Sequence, residues 1–165
     1  MNKLRFVISL ITADNDYQRE QAAAALNAAV RLDVEVQTLF ADNDAINQSQ
    51  QLLKVIQTAR VGVDAILVEP VGLTCFPKVA HAAVAAGIGW CALNSEPDYL
   101  RELHSLRNSP AFAVSADNGH VGRIQGRQLA ALLPHGGSVL YIQGPSGSTV
   151  TNNGLRECTK ANQKT

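Results

Sequence analysis

The chain has 165 residues, enough for a single domain with a sizeable core. Fourteen basic and fourteen acidic residues cancel, and 46% of the residues are apolar while only 5% are aromatic. This composition is typical of a soluble α/β protein, and it lacks the basic stripe that binds nucleic acid or an anionic membrane surface. We therefore expect a small neutral or mixed-polarity partner, no nucleic acid and no membrane insertion.

The first part of the chain alternates apolar runs of strand length with helix-forming segments. An almost uninterrupted apolar run is typical of a strand that is buried on both faces of a sheet. The predicted strands are Leu4–Ile11, Val34–Phe40, Ala65–Val68 and Ile88–Leu93. The predicted helices are Tyr17–Leu32, Ala45–Val61 (with Asp44 as its N-cap) and Pro77–Ala86. This alternation predicts right-handed βαβ units and a doubly wound parallel sheet, in the α/β class.

The regular alternation stops after Leu93. The segment Asn94–Pro110 is polar and contains prolines, so we predict an irregular connection, followed by a short extended piece at Ala111–Ser115. A second layer is then predicted, made of helix Asn118–Leu133, strand Ser138–Gln143, turn Gly144–Thr149 and helix Asn153–Ala161. We assign residues 1–110 to an N-terminal α/β lobe and residues 111–165 to a crossover and an incomplete C-terminal α/β lobe.

The amino terminus does not predict a secretory leader. Its basic start is followed by the run Phe6–Ile11, which is too short for a secretory core, and no small-residue cleavage pattern precedes Asp14. No apolar run reaches transmembrane length. As written, the sequence predicts a cytoplasmic chain, unless a leader was removed upstream of this numbering.

The sequence contains no motif that predicts catalysis, a cofactor or a metal. The three cysteines are far apart, and the four histidines have no metal-ligand neighbour at helical spacing. No dinucleotide fingerprint follows the first strand, and the turn Gly144–Thr149 lacks the lysine of a phosphate-binding loop. We predict no cofactor, no metal and no enzyme; a small α/β enzyme is the least favoured alternative. Trp90 and Cys91 are predicted to lie in the core.

Polar side chains follow each predicted strand, and ligands of open parallel sheets bind at the carboxyl ends of the strands. Asp14, Asn15 and Tyr17 follow the first strand, and Asn94 follows the fourth. Carboxylate and amide groups hydrogen-bond hydroxyls, and an aromatic ring covers the C–H surface of a sugar. Helix capping and turn formation are the alternative roles. These two interpretations stay open for the four residues above, whereas capping is favoured for the run Asp42–Asp44.

These segments resemble type I periplasmic sugar-binding proteins over essentially the whole chain. The residues that carry the resemblance are Leu4–Ile11 with the aromatic at Tyr17, Ala65–Pro70, Ile88–Asn94, Val114–Asn118, Gly122 and Ile142–Gly144. The ribose-binding-like ABC transporter receptors are the most similar group. The sensor domains of lac-repressor-type regulators share the fold, so the resemblance identifies the fold better than the ligand.

The resemblance implies two βα lobes that close on a sugar, which is then handed to an ABC permease, and it implies a periplasmic location. The ligand-binding residues that it implies are Asp14, Asn15, Asp16, Tyr17, Asn94, Ser95 and Asp117. The family usually has aspartate at the position of Asn94 and often arginine at that of Ser95. The later ligand residues of the family are missing from this chain.

Two functional hypotheses follow from the resemblance. The first is a solute-binding protein of an ABC transport system, here a fragment with impaired binding that self-associates through its C-terminal third. The alternative is the effector-binding domain of a lac-repressor-type regulator without its DNA-binding segment. That alternative ranks second because no helix-turn-helix precedes Leu4.

Overall fold

A computed structural model describes residues 3–58, 62–72, 76–106 and 108–142. The chain divides into two compact units, Met1–Val114 and Ser115–Thr165. The lobe boundary expected at residue 110 stays a prediction. The predicted turn Gly144–Thr149, the predicted helix Asn153–Ala161, Cys75 and Cys158 lie outside the described residues.

The first unit contains five strands and four helices among its described residues. The strands are β1 (Arg5–Leu10), β2 (Glu35–Phe40), β3 (Ala65–Val68), β4 (Gly89–Leu93) and β5 (Ala111–Val114). The helices are α1 (Asp16–Leu32), α2 (Ala45–Thr58), α3 (Phe76–Ala85) and α4 (Leu100–Leu106). The described part of the second unit begins with α5 (Asn118–Leu132).

All five strands are parallel and lie in the order β2-β1-β3-β4-β5. The chain moves outward from β1 to β2 and then returns past β1 to β3, so right-handed crossovers place α1 on one face of the sheet and the later helices on the other. In agreement, α2 contacts α3 and α3 contacts α4, whereas α1 contacts β1 and β2. The predicted doubly wound parallel sheet is confirmed.

The main hydrophobic core lies between the sheet and the helices α2, α3 and α4. Val7, Ile66 and Trp90 occupy neighbouring register positions of β1, β3 and β4, and all three are buried. Leu52 of α2 and Leu103 of α4 cover them and are fully buried. Each such aliphatic or aromatic side chain stabilises the fold by about 1.5–3 kcal/mol through its removal from water.

The expected core positions of Trp90 and Cys91 are confirmed, with exposures of 1% and 4%. The indole Nε1 of Trp90 donates to Tyr99 Oη at 3.3 Å. Burial raises the pKa of the Cys91 thiol, because the thiolate would lose its hydration. Burial likewise raises the pKa of Tyr99, against a smaller lowering by its hydrogen bond to Trp90.

The irregular connection predicted for Asn94–Pro110 is wrong in its second half, which forms α4. The backbone N–H of Leu103 donates to Tyr99 O at 3.2 Å, and the Leu103 side chain is fully buried in the core. A helix of seven residues is not stable in isolation, so tertiary packing stabilises α4. The extended piece predicted after it is β5, which pairs with β4.

The strand predicted at Ser138–Gln143 is wrong for residues 138–142, which are described and form no strand. A strand needs a neighbouring backbone for its hydrogen bonds, and the described residues of the second unit contain no strand that could supply one. Its apolar side chains are accordingly exposed, with Leu140 and Ile142 each at 87%.

Candidate functional site

The candidate site lies in the first unit, at the carboxyl ends of its strands. We define the rim as the segments that follow β1 to β4, namely residues 11–18, 41–44, 69–72 and 94–99. The strand order reverses between β1 and β3, and such a switch point opens a crevice at the carboxyl ends of a parallel sheet. The crevice is therefore bordered by the segments that follow β1 and β3.

Tyr17 and Asn94 lie in direct contact at the rim. The Asn94 Nδ2 donates to Tyr17 Oη at 2.9 Å, across 77 positions of sequence. Tyr17 is 60% exposed, so its ring is available to a ligand. Asn94 has a left-handed backbone with φ +53°, a conformation that asparagine tolerates better than most residues. The structure thus brings together two predicted site residues from the loops after β1 and β4, whose strands are separated by β3.

The other predicted residues of the first loop have identifiable structural roles. Asn15 is the N-cap of α1, and its Oδ1 accepts from Gln18 N at 2.9 Å. The exposed Asp16 carboxylate forms an ion pair with Arg19 within the first turn of α1. The backbone N–H of Asp14 donates to Thr12 Oγ1 at 3.2 Å, and its side chain is exposed. Capping and ligand binding are compatible for this loop, and its ligand role stays a prediction.

Ser95 and Asp117 differ in their surroundings. Ser95 is 6% exposed, and its buried Oγ has no hydrogen-bond partner among the described residues. Asp117 belongs to the second unit, where it caps α5 and its Oδ1 accepts from His120 N at 2.7 Å. A ligand role for either residue stays a prediction.

A buried polar network lies below the rim, and the sequence did not predict it. It consists of Gln18, Gln48 and Glu69, which are 3%, 0% and 9% exposed. Its hydrogen bonds connect the ends of β1 and β3 with the first turns of α1 and α2. A signal existed in the sequence, because each glutamine shares its helix stripe with buried residues: Gln18 with Ala29, and Gln48 with Leu52.

The rim is acidic. Residues 11–18, 41–44, 69–72 and 94–99 contain no Lys, Arg or His, and they contain seven acids: Asp14, Asp16, Asp42, Asp44, Glu69, Glu96 and Asp98. The nearest cation is Arg19, directly after the first segment, which pairs with Asp16 and donates to Ala13 O at 3.1 Å. Carboxylates accept hydrogen bonds from hydroxyl groups and repel anions. The arrangement therefore suits an uncharged ligand that is rich in hydroxyl donors.

Neither a metal site nor a membrane-crossing helix is present in the described part of the chain. No group of three or more His, Cys, Asp or Glu is arranged there to hold a metal ion. Among the same residues, no helix has both the length and the apolar character needed to cross a membrane.

Comparison with known proteins points to one family and one fold. The family model described as the periplasmic binding protein domain matches residues 6–164. A Rhizobium meliloti protein described as a candidate rhizopine-binding protein is 32% identical over 111 residues, which cover 67% of this chain and 34% of that protein.

Three solved structures with the same fold are proteins that bind a sugar or a polyol. An ABC transporter periplasmic solute-binding protein from Actinobacillus succinogenes with bound D-allose has a TM-score of 0.83 at 21% identity, covering 98% of this chain and 56% of that one. A galactofuranose-binding protein has a TM-score of 0.84 at 22% identity, covering 98% and 52%. A solute-binding protein from Bacillus halodurans with bound myo-inositol has a TM-score of 0.80 at 23% identity, covering 99% and 53%. The chain spans about half the length of these structures.

Proposed function

Because the chain belongs to the periplasmic binding protein domain family, we propose that it provides one side of a binding site for a neutral, sugar-like molecule. The whole protein would deliver this molecule to an ABC permease from the periplasm, without catalysis. The observation that carries the proposal is the contact between Tyr17 and Asn94 at the carboxyl ends of β1 and β4. An exposed aromatic ring beside a carboxamide matches the mixed surface of a sugar, whose C–H face is apolar and whose edge is polar.

The acidic rim narrows the class of ligand. Acidic residues outnumber basic ones at the rim, even though Arg19 pairs with Asp16 and Glu69 lies in the buried network. This excess favours hydroxyl donors and disfavours phosphate or carboxylate groups on the ligand. Neutral pentoses, hexoses and inositols are therefore preferred over sugar phosphates and sugar acids. The relatives with bound D-allose and myo-inositol belong to the preferred class.

The 165-residue chain is expected to bind such ligands weakly. It spans about half the length of the similar solved structures, and a closed cleft gains affinity when two lobes both contact the ligand and exclude water. With one side of the site, we expect a dissociation constant no better than about 1 mM, or about −4 kcal/mol.

Saturation-transfer NMR against a panel of neutral pentoses, hexoses and inositols tests the proposal, because it detects millimolar binding. Glucose and glucose 6-phosphate serve as the matched pair for charge. The proposal expects signals from neutral members of the panel and a weaker signal from the phosphate. Absence of binding by every neutral member at tens of millimolar would contradict the ligand class, and a stronger signal from the phosphate would contradict the charge argument.

Self-association through the C-terminal third is part of this proposal. Leu132, Leu140 and Ile142 are apolar and at least 76% exposed, and a contiguous apolar patch promotes association. Light scattering should show dimers or larger species for the chain. The double variant Leu140→Asp/Ile142→Asp, which changes exposed positions, should return it to monomers. A monodisperse monomer of the unmodified chain would contradict this part alone.

A further inference from the structure

The buried network below the rim is costly unless every polar group in it has a partner. Gln48 is fully buried, and Gln18 and Glu69 are nearly so. Removing an amide from water costs free energy, and removing a charged carboxylate costs more. Hydrogen bonds within the protein must offset this cost. Apolar residues at the same positions would avoid that cost, so the polar groups call for an explanation beyond fold stability.

Gln18 ties the end of β1 to the end of β3. Its Nε2 donates to Glu69 Oε2 at 2.7 Å, and its Oε1 accepts from Ile11 N at 2.9 Å. Its own backbone N–H donates to Asn15 Oδ1 at 2.9 Å. Hydrogen bonds therefore fix both the side chain and the backbone of Gln18, the residue after Tyr17.

Gln48 holds the other side of Glu69. Its Nε2 donates both to Ser9 Oγ and to the Glu69 carbonyl, each at 2.9 Å, and its Oε1 accepts from Val71 N at 2.8 Å. The backbone around Glu69 is thus fixed at two points by one fully buried side chain. The carboxylate of Glu69 is in turn aimed at Gln18.

Tyr17 is the exposed end of this chain of contacts. It stands between the capping residue Asn15 and the anchored Gln18, and its hydroxyl accepts from Asn94. Hydrogen bonds of buried groups therefore connect the segments after β1 and β3. Tyr17 precedes Gln18 in the chain, and its exposed hydrogen bond to Asn94 adds the segment after β4. A ring held in this way loses less conformational freedom when it contacts a ligand.

We infer that Gln18, Gln48 and Glu69 are positioning residues: they hold the loop of Tyr17 so that the ring and the Asn94 carboxamide are arranged before a ligand arrives. The ligand-binding half of this inference rests on the proposed function. The positioning half concerns the free protein and is tested without any ligand.

The test follows the side-chain NH2 signals of Asn94 by nitrogen–proton NMR, with Tyr17→Phe identifying the signals that depend on the tyrosine hydroxyl. Gln18→Met keeps side-chain volume but removes both side-chain hydrogen bonds of Gln18. It should shift or broaden the Asn94 signals towards their positions in Tyr17→Phe. The Trp90 indole signal, which reports on the core bond to Tyr99, should stay in place.

The matched control is Gln51→Met. Gln51 is a partly buried glutamine of α2 that, like Gln48, donates to a backbone carbonyl, here Phe40 O at 3.0 Å, but it lies outside the network. The Asn94 signals should be unchanged in this variant. Equal shifts in Gln51→Met and Gln18→Met, or unchanged Asn94 signals in Gln18→Met, would overturn the inference.

A donor–acceptor swap keeps the test decisive if Gln18→Met does not fold. Gln18→Glu alone places two carboxylates together and should disturb the Asn94 signals strongly. Adding Glu69→Gln restores the pair with its roles exchanged, because the amide is now at position 69 and the carboxylate at position 18. The double variant should return the Asn94 signals to their original positions. Failure of the second change to rescue the first would contradict a positioning role for the pair.

For a neutral sugar that binds the unmodified chain, Gln18→Met should weaken affinity by about threefold to tenfold, the scale of one hydrogen bond. Gln51→Met should leave the affinity unchanged, and an equal loss in both variants would overturn the ligand-binding half. If no sugar binds any variant, the proposed function and the ligand-binding half fail together. The Asn94 signals still decide the positioning half.

Discussion

Two regions of the first unit are equally buried but chemically opposite. Trp90, in the core beneath α3 and α4, is 1% exposed, and Gln48, in the network beneath the rim, is 0% exposed. The core is stabilised by the removal of apolar surface from water. The network loses its hydrogen bonds to water on burial, and directional hydrogen bonds within the protein replace them. Burial alone therefore does not tell what a residue does. The apolar region stabilises the fold, and the polar region sets where loop residues stand.

The largest expected effect is the loss of Trp90. Trp90→Ala removes the largest fully buried side chain and leaves Tyr99 Oη without its donor. The free energy of unfolding should fall by about 3–5 kcal/mol. Urea unfolding followed by circular dichroism measures it, and a loss below about 1 kcal/mol would show that the core is not where stability resides.

Gln48→Leu should lower the free energy of unfolding less than Trp90→Ala does, but it should disturb the rim more. It leaves Ser9 Oγ, the Glu69 carbonyl and Val71 N–H without their partner in the buried network. The expected loss in the free energy of unfolding is about 1–3 kcal/mol. The same urea experiment measures this loss. A more stable protein with unchanged Asn94 NMR signals would contradict the different roles of the core and the network.

Tyr17→Ala tests the exposed end of the network. The ring is 60% exposed, so stability should change little, while affinity for a neutral sugar should weaken by about 1–3 kcal/mol. Phe112→Ala is the matched control, because Phe112 is also an aromatic residue with about half of its surface exposed but lies on β5, outside the rim. NMR titration of both variants decides the matter: equal losses would remove Tyr17 from the site.

The smallest expected effect concerns Cys91. Burial raises the pKa of its thiol in the folded state, so the unfolded chain loses the proton at a lower pH than the folded one. Stability is then complete below the ordinary thiol pKa of about 8.5 and falls as the pH rises above it. Cys91→Ala should remove this alkaline slope. Identical slopes between pH 8 and 9.5 for the variant and the unmodified chain would contradict a buried thiol.

The βαβ part of the fold is predicted well because the sequence carries separate local signals for its strands and its helices. Strands such as Ala65–Val68 are short apolar runs, and helix starts such as Asp44 carry a capping side chain that indeed bonds Ile46 N and Asn47 N. These are local signals, and each element can be identified without its neighbours.

The misses are elements that depend on tertiary partners. Helix α4 is short and begins after a proline-containing segment, and only the burial of Leu103 against the sheet makes it stable. The strand predicted from Ser138 has the right composition but has no strand to pair with among the described residues of its own unit. Composition cannot reveal whether a pairing partner exists.

The site is predicted in part for a similar reason. The carboxyl-end rule brings Tyr17 and Asn94 to one edge, and the structure joins them by a hydrogen bond. The network of Gln18, Gln48 and Glu69 was missed because its members are far apart in sequence and glutamine is usually a surface residue. Their positions on apolar helix stripes are the signal to look for in comparable chains.

The most direct test of the account is an NMR titration of the 165-residue chain with a neutral sugar from the panel, followed at every assigned amide and side-chain signal. We predict that the signals of residues 12–18, the side-chain amide of Asn94 and the backbone of Ser95 move together with added sugar, while the Trp90 indole signal stays fixed. Changes confined to the amino ends of the strands, such as those around Arg5 and Glu35, or no saturable change at any sugar concentration, would contradict it.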